Sequence, residues 1–72
     1  MTDGVRRRVE DLLRELAPQV LGTLTGRYGQ FGACEDATQE ALLRAVQHWP
    51  EDGIPHSPRS WLLTVASRFL ID

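Results

Sequence analysis

Apolar residues recur every three to four positions along most of the chain, which is the spacing of one face of an α-helix. The first such stripe consists of Val5, Val9, Leu12, Leu13, Leu16, Val20, Leu21 and Leu24. Pro18 falls inside it, but the stripe keeps its phase on both sides of the proline. A proline removes one backbone donor and clashes with the preceding turn, so the pattern predicts one nearly continuous helix with a kink. Gly26 and Gly29 are expected to end this helix.

A second helical segment follows Phe31-Gly32 and has two different faces. One face is small and aliphatic and consists of Ala37, Ala41, Leu42, Ala45 and Val46. The other is acidic and amidic with a leucine in its middle, and consists of Asp36, Gln39, Glu40 and Leu43. Residues three and four apart are neighbours on a helix, so each set forms a continuous surface. The first surface suits close packing against other helices, and the second is the candidate for contact with a partner.

Dipole and proline rules predict where the second helix begins and ends. Glu35 and Asp36 are expected in its first turn, where carboxylates interact favourably with the helix dipole. Pro50 is expected to stop the helix near His48 or Trp49. His48 would then hydrogen-bond the last carbonyl groups of the helix.

A third helix is predicted after a turn-rich stretch at residues 51–56. Ser57-Pro58 is a strong start signal, with serine at the N-cap and proline at the first helical position. The inner face of this helix is expected to hold Trp61, Leu62, Val65, Ala66 and Phe69. No segment alternates as a strand does. The expected fold class is therefore all-α, a compact three-helix bundle with a kinked first helix and a turn-rich loop between helices two and three.

Length and composition indicate one small soluble domain. The chain has 72 residues, of which 42% are hydrophobic and 25% are charged, as in ordinary globular proteins. Its single cysteine cannot form an internal disulfide, so nothing implies an oxidising compartment. No apolar run approaches the roughly 20 residues that span a bilayer. We therefore expect a cytoplasmic protein with no membrane partner. Leu70 and Ile71 precede no C-cap, so we expect residues 1–72 to be one domain of a longer chain.

The charge balance limits how such a domain can bind nucleic acid. The formal net charge is −2, so nucleic-acid binding requires a local basic patch or the help of another protein. All eight basic residues are arginine, which fits a GC-rich genome and equally fits a preference for planar, bidentate contacts.

Candidate catalytic and metal-binding residues form no recognisable site. Cys34, His48 and His56 are far apart and have no known ligand spacing, and Cys34 is expected to be a small buried residue at a helix start. Ser57, His56 and Asp52 share one short loop and do not make a triad. We expect no enzymatic activity, no metal and no cofactor.

The features that suggest binding each have a structural alternative. The arginine run at 6–8 can contact phosphate or form a solvated face. Glu40 with Arg44 can be an ordinary ion pair, and Leu43 can be one of the scattered apolar residues that every surface has. Trp49 can pack under the loop or stack on a base.

Two motifs, in the order found here, resemble bacterial sigma factors. EDATQEALLRA at 35–45 resembles their acidic-Gln-Glu helix, and PRSWLLTVA at 58–66 resembles the next helix of the small extracytoplasmic-function group. LID at 70–72 is similar to the start of that group's next stretch. The resemblance runs from about Val9 to Asp72 and corresponds to region 2, which in that family binds core RNA polymerase and the promoter −10 element.

The resemblance implies a role for each surface. It implies docking on the coiled coil of the polymerase's largest subunit by Asp36, Gln39, Glu40 and Leu43. It implies capture of single-stranded −10 DNA by Trp49, His56, Arg59, Ser60, Leu63, Thr64 and Arg68. Such a domain melts a promoter by trapping unstacked bases, and nothing is hydrolysed. Position 67 is serine where this family usually has a basic residue, and position 69 is phenylalanine, so poor DNA affinity is expected for the isolated domain.

A second class of function stays open at this point. The alternative is a non-catalytic helical module that self-associates or pairs with an inhibitor protein, an anti-sigma factor in the family's terms. Its contacts would use the apolar residues Leu63, Leu70 and Ile71.

Overall fold

Three helices account for most of the chain in a computed structural model, which describes residues 2–71. They are α1 (Thr2–Tyr28), α2 (Phe31–Asp52) and α3 (Pro58–Ile71). The described residues contain no strand, and the predicted all-α bundle is confirmed. None of the helices in this part of the chain is both long enough and apolar enough to cross a bilayer.

The first helix passes through Pro18 without a break, as the apolar stripe predicts. Its 27 residues, at about 1.5 Å each, account for the 40 Å long dimension of the molecule. Pro18 lies on the exposed side, and a bend there stays a prediction. From Val9 to Leu24 the residues of the stripe are buried or partly buried, whereas Val5, at its start, is 46% exposed. Residues 4–8 are all exposed, so neither α2 nor α3 covers this part of α1.

Two residues in left-handed conformation turn the chain between α1 and α2. Gly29 has φ +68° and Gln30 has φ +48°, and the Gly29 amide donates to the Thr25 carbonyl at 2.9 Å. Cys34 is fully buried beside this turn, and its Sγ donates to the Gly29 carbonyl at 3.1 Å. The predicted role of Gly29 at the end of the first helix and the burial of Cys34 are therefore confirmed, whereas Gly26 lies inside α1 and does not end it.

The bounds of α2 differ from both predictions. Because the helix begins at Phe31, Glu35 and Asp36 lie beyond its first turn, which holds no acidic residue. It also continues past Pro50 to Asp52. A proline removes one hydrogen-bond donor from a helix and crowds the preceding turn. Pro50 lies in the last turn of α2, where the loss of one hydrogen bond does not end the helix.

Gly53 ends α2 in place of the proline. Its φ of +96° and ψ of 153° are outside the helical region, and its amide donates to the Trp49 carbonyl at 2.8 Å. His48 consequently lies inside the helix, where its Nδ1 is 3.9 Å from Asp52 Oδ2. The expected capping role of His48 and the expected irregular structure at residues 51 and 52 are wrong.

The third helix starts where the Ser-Pro signal places it. α3 begins at Pro58, and the Ser57 carbonyl accepts the first helical hydrogen bond from the Trp61 amide at 3.0 Å. Leu62 and Ala66 are buried, as expected for the inner face.

Phe69 is the exception on the predicted inner face of α3. It is 47% exposed, so its expected burial is wrong. The residues that face the core follow one another at steps of four: Leu62, Ala66 and Leu70. Leu62 and Ala66 are part of the buried core, and Leu70 packs against that core. Phe69 is one position out of that row and points away from the core.

α2 is the central helix of the bundle. Ala37, Ala41 and Ala45 are at most 1% exposed, and such small side chains let neighbouring backbones come close. Both α1 and α3 pack mainly on α2 and much less on each other. Trp49 closes one end of the core, where its ring meets Trp61 edge to face with centroids 5.2 Å apart.

Candidate functional site

The outer side of α2 carries the acidic face, which we define as Asp36, Gln39, Glu40 and Leu43. Asp36 and Gln39 are exposed, and Glu40 is half-buried. Leu43 is 51% exposed in the middle of these polar side chains. The surface therefore combines hydrogen-bond acceptors with an apolar centre and takes no part in the core.

Glu40 has a partner within the same helix. Its Oε2 accepts from Arg44 Nε at 3.4 Å, and the arginine side chain is 57% exposed. The predicted ion pair is thus present. Exposed pairs of this kind contribute only about 0.3–0.5 kcal/mol, so Glu40 can exchange Arg44 for an arginine of another protein at small cost.

A groove of about 340 Å³ lies next to the acidic face, along the surface where α2 and α3 meet. Glu40 and Arg44 form its α2 wall, and Val65, Arg68 and Phe69 form its α3 wall. The sequence pattern assigned Phe69 to the core, so its contribution to this surface was missed. An exposed aromatic ring beside the acidic face enlarges the apolar area available there.

A second concave surface, the polar cleft, lies between the end of α1 and the outer side of α3. It has a volume of about 470 Å³ and is lined by Arg27, Tyr28, Ser60, Leu63, Thr64, Ser67, Arg68 and Ile71. The structure thus brings together four of the predicted DNA-binding residues, namely Ser60, Leu63, Thr64 and Arg68. Hydroxyl groups and two guanidinium groups make the cleft suitable for phosphate and base edges.

Arg27 in the polar cleft was missed by sequence reasoning. It is the basic residue of the last turn of α1, far in sequence from the α3 residues that it joins. Only the packing of α1 beside α3 brings it there. The one signal in the sequence that could have singled it out is its position two residues before Gly29, the glycine that ends α1.

The remaining predicted DNA-binding residues lie outside the lining of the cleft. His56 is exposed in the loop that links α2 to α3. Arg59 is exposed in the first turn of α3, and its Nη2 donates to Thr23 Oγ1 of α1 at 3.0 Å. These two residues therefore lie before and at the start of α3, whereas the cleft is lined by residues further along that helix.

Trp49 belongs to the core and not to either surface. It is 2% exposed, because it continues the buried row Ala41 to Ala45 at the same four-residue step. Of the two alternatives for Trp49, packing is the one that the structure shows. Its indole Nε1 is buried and has no hydrogen-bond partner among the described residues.

The described residues offer no cluster of three or more histidine, cysteine, aspartate or glutamate side chains that could hold a metal ion.

Comparison with known families identifies the family of this chain. The family model for sigma-70 region 2 matches residues 12–72, which include most of α1 and all of α2 and α3. The chain belongs to the sigma-70 region 2 family. Sigma-70 region 2 domains act in transcription initiation and bind core RNA polymerase and promoter DNA. They form a non-catalytic family of transcription factors.

One curated protein is similar to most of the chain. An uncharacterized protein of Rhizobium meliloti (strain 1021) is 38% identical over 55 residues, which cover 76% of this sigma-70 region 2 chain and 13% of that protein. The chain therefore spans only a small part of the length of this relative. No solved structure matches the chain significantly.

Proposed function

We propose that this domain docks on core RNA polymerase through the acidic face of α2 and holds single-stranded −10 promoter DNA along α3. The observation that carries the proposal is Leu43, which is 51% exposed at the centre of a polar face on a helix whose opposite face is buried. Membership of the sigma-70 region 2 family supplies the two classes of partner. The extracytoplasmic-function group is the proposed subgroup.

The chemistry of the acidic face fits a basic, helical partner such as the coiled coil of the largest subunit. The Asp36 and Glu40 carboxylates accept charge-assisted hydrogen bonds from arginine, and the Gln39 amide both donates and accepts. Leu43 supplies apolar area that a partner buries, and such central residues dominate binding energy in many interfaces. Docking by this face leaves the core of the bundle unchanged.

The proposed polymerase contact is tested with the triple variant Gln39→Ala/Glu40→Ala/Leu43→Ala. We expect its affinity for core polymerase to fall by at least about tenfold, because a hot-spot side chain contributes roughly 2 kcal/mol. The free energy of unfolding should change by less than about 1 kcal/mol, since exposed side chains contribute little to stability. Binding is measured with fluorescently labelled protein, and unfolding with urea.

The matched control is Glu15→Ala/Gln19→Ala on α1. It removes the same polar residue types from an exposed surface of another helix, and we expect it to bind polymerase as the wild type does. Unchanged binding by the triple variant, or equal loss in the control, would show that the polymerase contacts a different surface.

The polar cleft fits a nucleic-acid strand. Arg27 and Arg68 stand on α1 and α3 respectively and can contact successive phosphates, while Ser60 and Thr64 offer hydroxyl groups to base edges. Such contacts stabilise bases that have left the stack and so favour a melted promoter, without any bond being broken. Polymerase binding by α2 would hold the cleft next to the DNA.

The DNA contact is tested in the assembled polymerase with Arg27→Ala/Arg68→Ala. Each lost phosphate contact should reduce the slope of log affinity against log salt by about 0.7 for single-stranded DNA. The control Arg7→Ala/Arg8→Ala removes two exposed arginines from the start of α1 and should leave the slope unchanged. The opposite outcome, a change in the control only, would assign the DNA contact to the arginine run at 6–8.

A second candidate function is self-association through the end of the bundle near the α1–α2 turn. Tyr28 and Ile71 border a cavity of about 140 Å³ there, and Ile71 is 72% exposed. Phe31, 56% exposed, begins α2 directly after this turn. Light scattering over a range of concentrations separates the candidates, because a stable dimer that ignores polymerase would favour this second one. A monomer that binds polymerase would favour the first.

A further inference from the structure

Arg59 is held by a neutral side chain from a different helix. Its Nη2 donates to Thr23 Oγ1 at 3.0 Å, and the two residues are 36 positions apart in sequence. Arg59 is exposed, whereas Thr23 is half-buried in α1. Within residues 4–71, no carboxylate forms an ion pair with Arg59. One of the five N–H donors of this guanidinium group is therefore anchored while its charge stays uncompensated.

Other arginines of the molecule are anchored differently. Arg14 pairs with Asp11 at 3.1 Å and Arg44 pairs with Glu40 at 3.4 Å. In both pairs the carboxylate that fixes the arginine also neutralises it. A hydroxyl group fixes the position of an arginine without reducing its attraction for an anion.

The position of Arg59 in α3 is unfavourable for a cation. It stands next to Pro58 in the first turn of the helix, where the helix dipole favours negative charge. A bound phosphate would be attracted both by the guanidinium and by the start of the helix. The hydrogen bond from α1 keeps the side chain at this end of α3 although the helix itself does not favour a cation there.

We propose that Thr23 is a positioning residue for DNA binding. Its hydroxyl group holds the Arg59 guanidinium at the start of α3, so that the remaining donors are presented to a phosphate of single-stranded DNA. This inference rests on the proposed function, in which α3 binds DNA. It adds a second residue of α1, besides Arg27 of the polar cleft, to the proposed DNA-binding surface.

The test uses the chain assembled with core RNA polymerase and a single-stranded DNA of mixed sequence, about 12 nucleotides long, at several NaCl concentrations. Thr23→Val removes the hydroxyl group and keeps the shape of the side chain. We expect it to weaken DNA binding by about two- to fivefold, and Thr23→Ser to restore most of the affinity. The matched control is Thr25→Val, because that hydroxyl group donates to the Leu21 carbonyl within α1 at 2.8 Å and should not affect DNA binding.

A double-mutant cycle with Arg59→Ala separates positioning from a general structural effect. If Thr23 acts through Arg59, Thr23→Val has no further effect once the guanidinium is gone. Equal weakening in both backgrounds would overturn the positioning role, and so would unchanged binding by Thr23→Val when Arg59→Ala weakens it. Thermal unfolding confirms that each variant is folded, and Thr23→Ala replaces the valine variant if that one does not fold.

Failure of the proposed function gives a different result. In that case Arg59→Ala leaves both the affinity for DNA and its salt dependence unchanged while polymerase binding persists. The DNA role of the start of α3 and the positioning role of Thr23 would then both be rejected.

Discussion

Trp49 shows how one residue can be essential to the fold and irrelevant to the surface. It is among the largest fully buried side chains of the described core and packs edge to face against Trp61. Its indole N–H is buried without a partner among the described residues, and an unsatisfied donor costs about 1–3 kcal/mol. Burial of the ring stabilises the fold, whereas the unpaired N–H destabilises it. Substitutions that remove one or both of these groups can therefore separate the two effects.

We predict that Trp49→Phe is tolerated and Trp49→Ala is not. Phenylalanine keeps most of the apolar contact and removes the unsatisfied N–H, so the two effects offset and the free energy of unfolding should fall by less than about 1.5 kcal/mol. Alanine leaves a cavity and should cost about 3–5 kcal/mol. Urea unfolding of the two variants measures the difference. Similar losses in both variants would show that the nitrogen has a partner or that the packing requires the full indole.

Residues on a helical period could be assigned from the sequence, and residues brought together by packing could not. Ala37, Ala41 and Ala45 follow the helical spacing and are buried as predicted. The roles proposed for Arg27 and Thr23 could not be read from the sequence, because both residues meet α3 only where α1 packs beside it. Between these cases are Trp49, for which two alternatives stayed open, and Phe69, which is one position out of the buried row.

At the scale of the element, the ends of the helices depend on backbone conformation more than on residue type. Pro50 was expected to end α2, yet the helix continues for two residues and ends at Gly53. The physical difference is that a proline removes one hydrogen bond, whereas φ +96° with ψ 153° takes the backbone out of the helix altogether. The sequence shows that both residues interrupt helices but does not show which conformation the glycine adopts.

Gly53 and Gly26 should therefore respond in opposite ways to alanine. A Cβ at either position meets nothing within 4 Å, so the effect is one of backbone conformation alone. Gly53→Ala should destabilise the domain by about 1–3 kcal/mol, because its φ and ψ are essentially restricted to glycine. Gly26→Ala, in the last turns of α1, should stabilise it by about 0.5–1 kcal/mol. Thermal unfolding of both variants is the measurement, and a shift of the same sign in both would contradict this account of the two sites.

At the scale of the whole molecule, the structural role of α2 and its proposed binding role lie on opposite sides of the helix. Its alanine row holds α1 and α3, and its acidic face is turned to solvent. The fold class, the order of the helices and the two faces of α2 followed from the sequence because they depend on periodicity alone. The polar cleft did not, because it forms only where two helices that are distant in sequence lie next to each other.

Enlarging the inner side of α2 should loosen the contacts of α2 with its neighbours. We predict that Ala41→Leu lowers the free energy of unfolding by about 1–3 kcal/mol, since a packed core tolerates added volume poorly. Glu35→Leu adds similar bulk to an exposed position of the same helix and should change stability by less than about 0.5 kcal/mol. Urea unfolding compares the two. A neutral Ala41→Leu would mean that the interface contains unfilled space.

The central position of α2 also has a kinetic consequence. Because α1 and α3 pack mainly on α2, most tertiary contacts join helices that are consecutive in the chain, and the connections between those helices are short. Little chain entropy is lost in closing such short connections, and helical domains with mostly local contacts fold within microseconds to milliseconds. This domain should thus regain its structure quickly whenever it opens, well before an exposed α2 face meets a second unfolded chain.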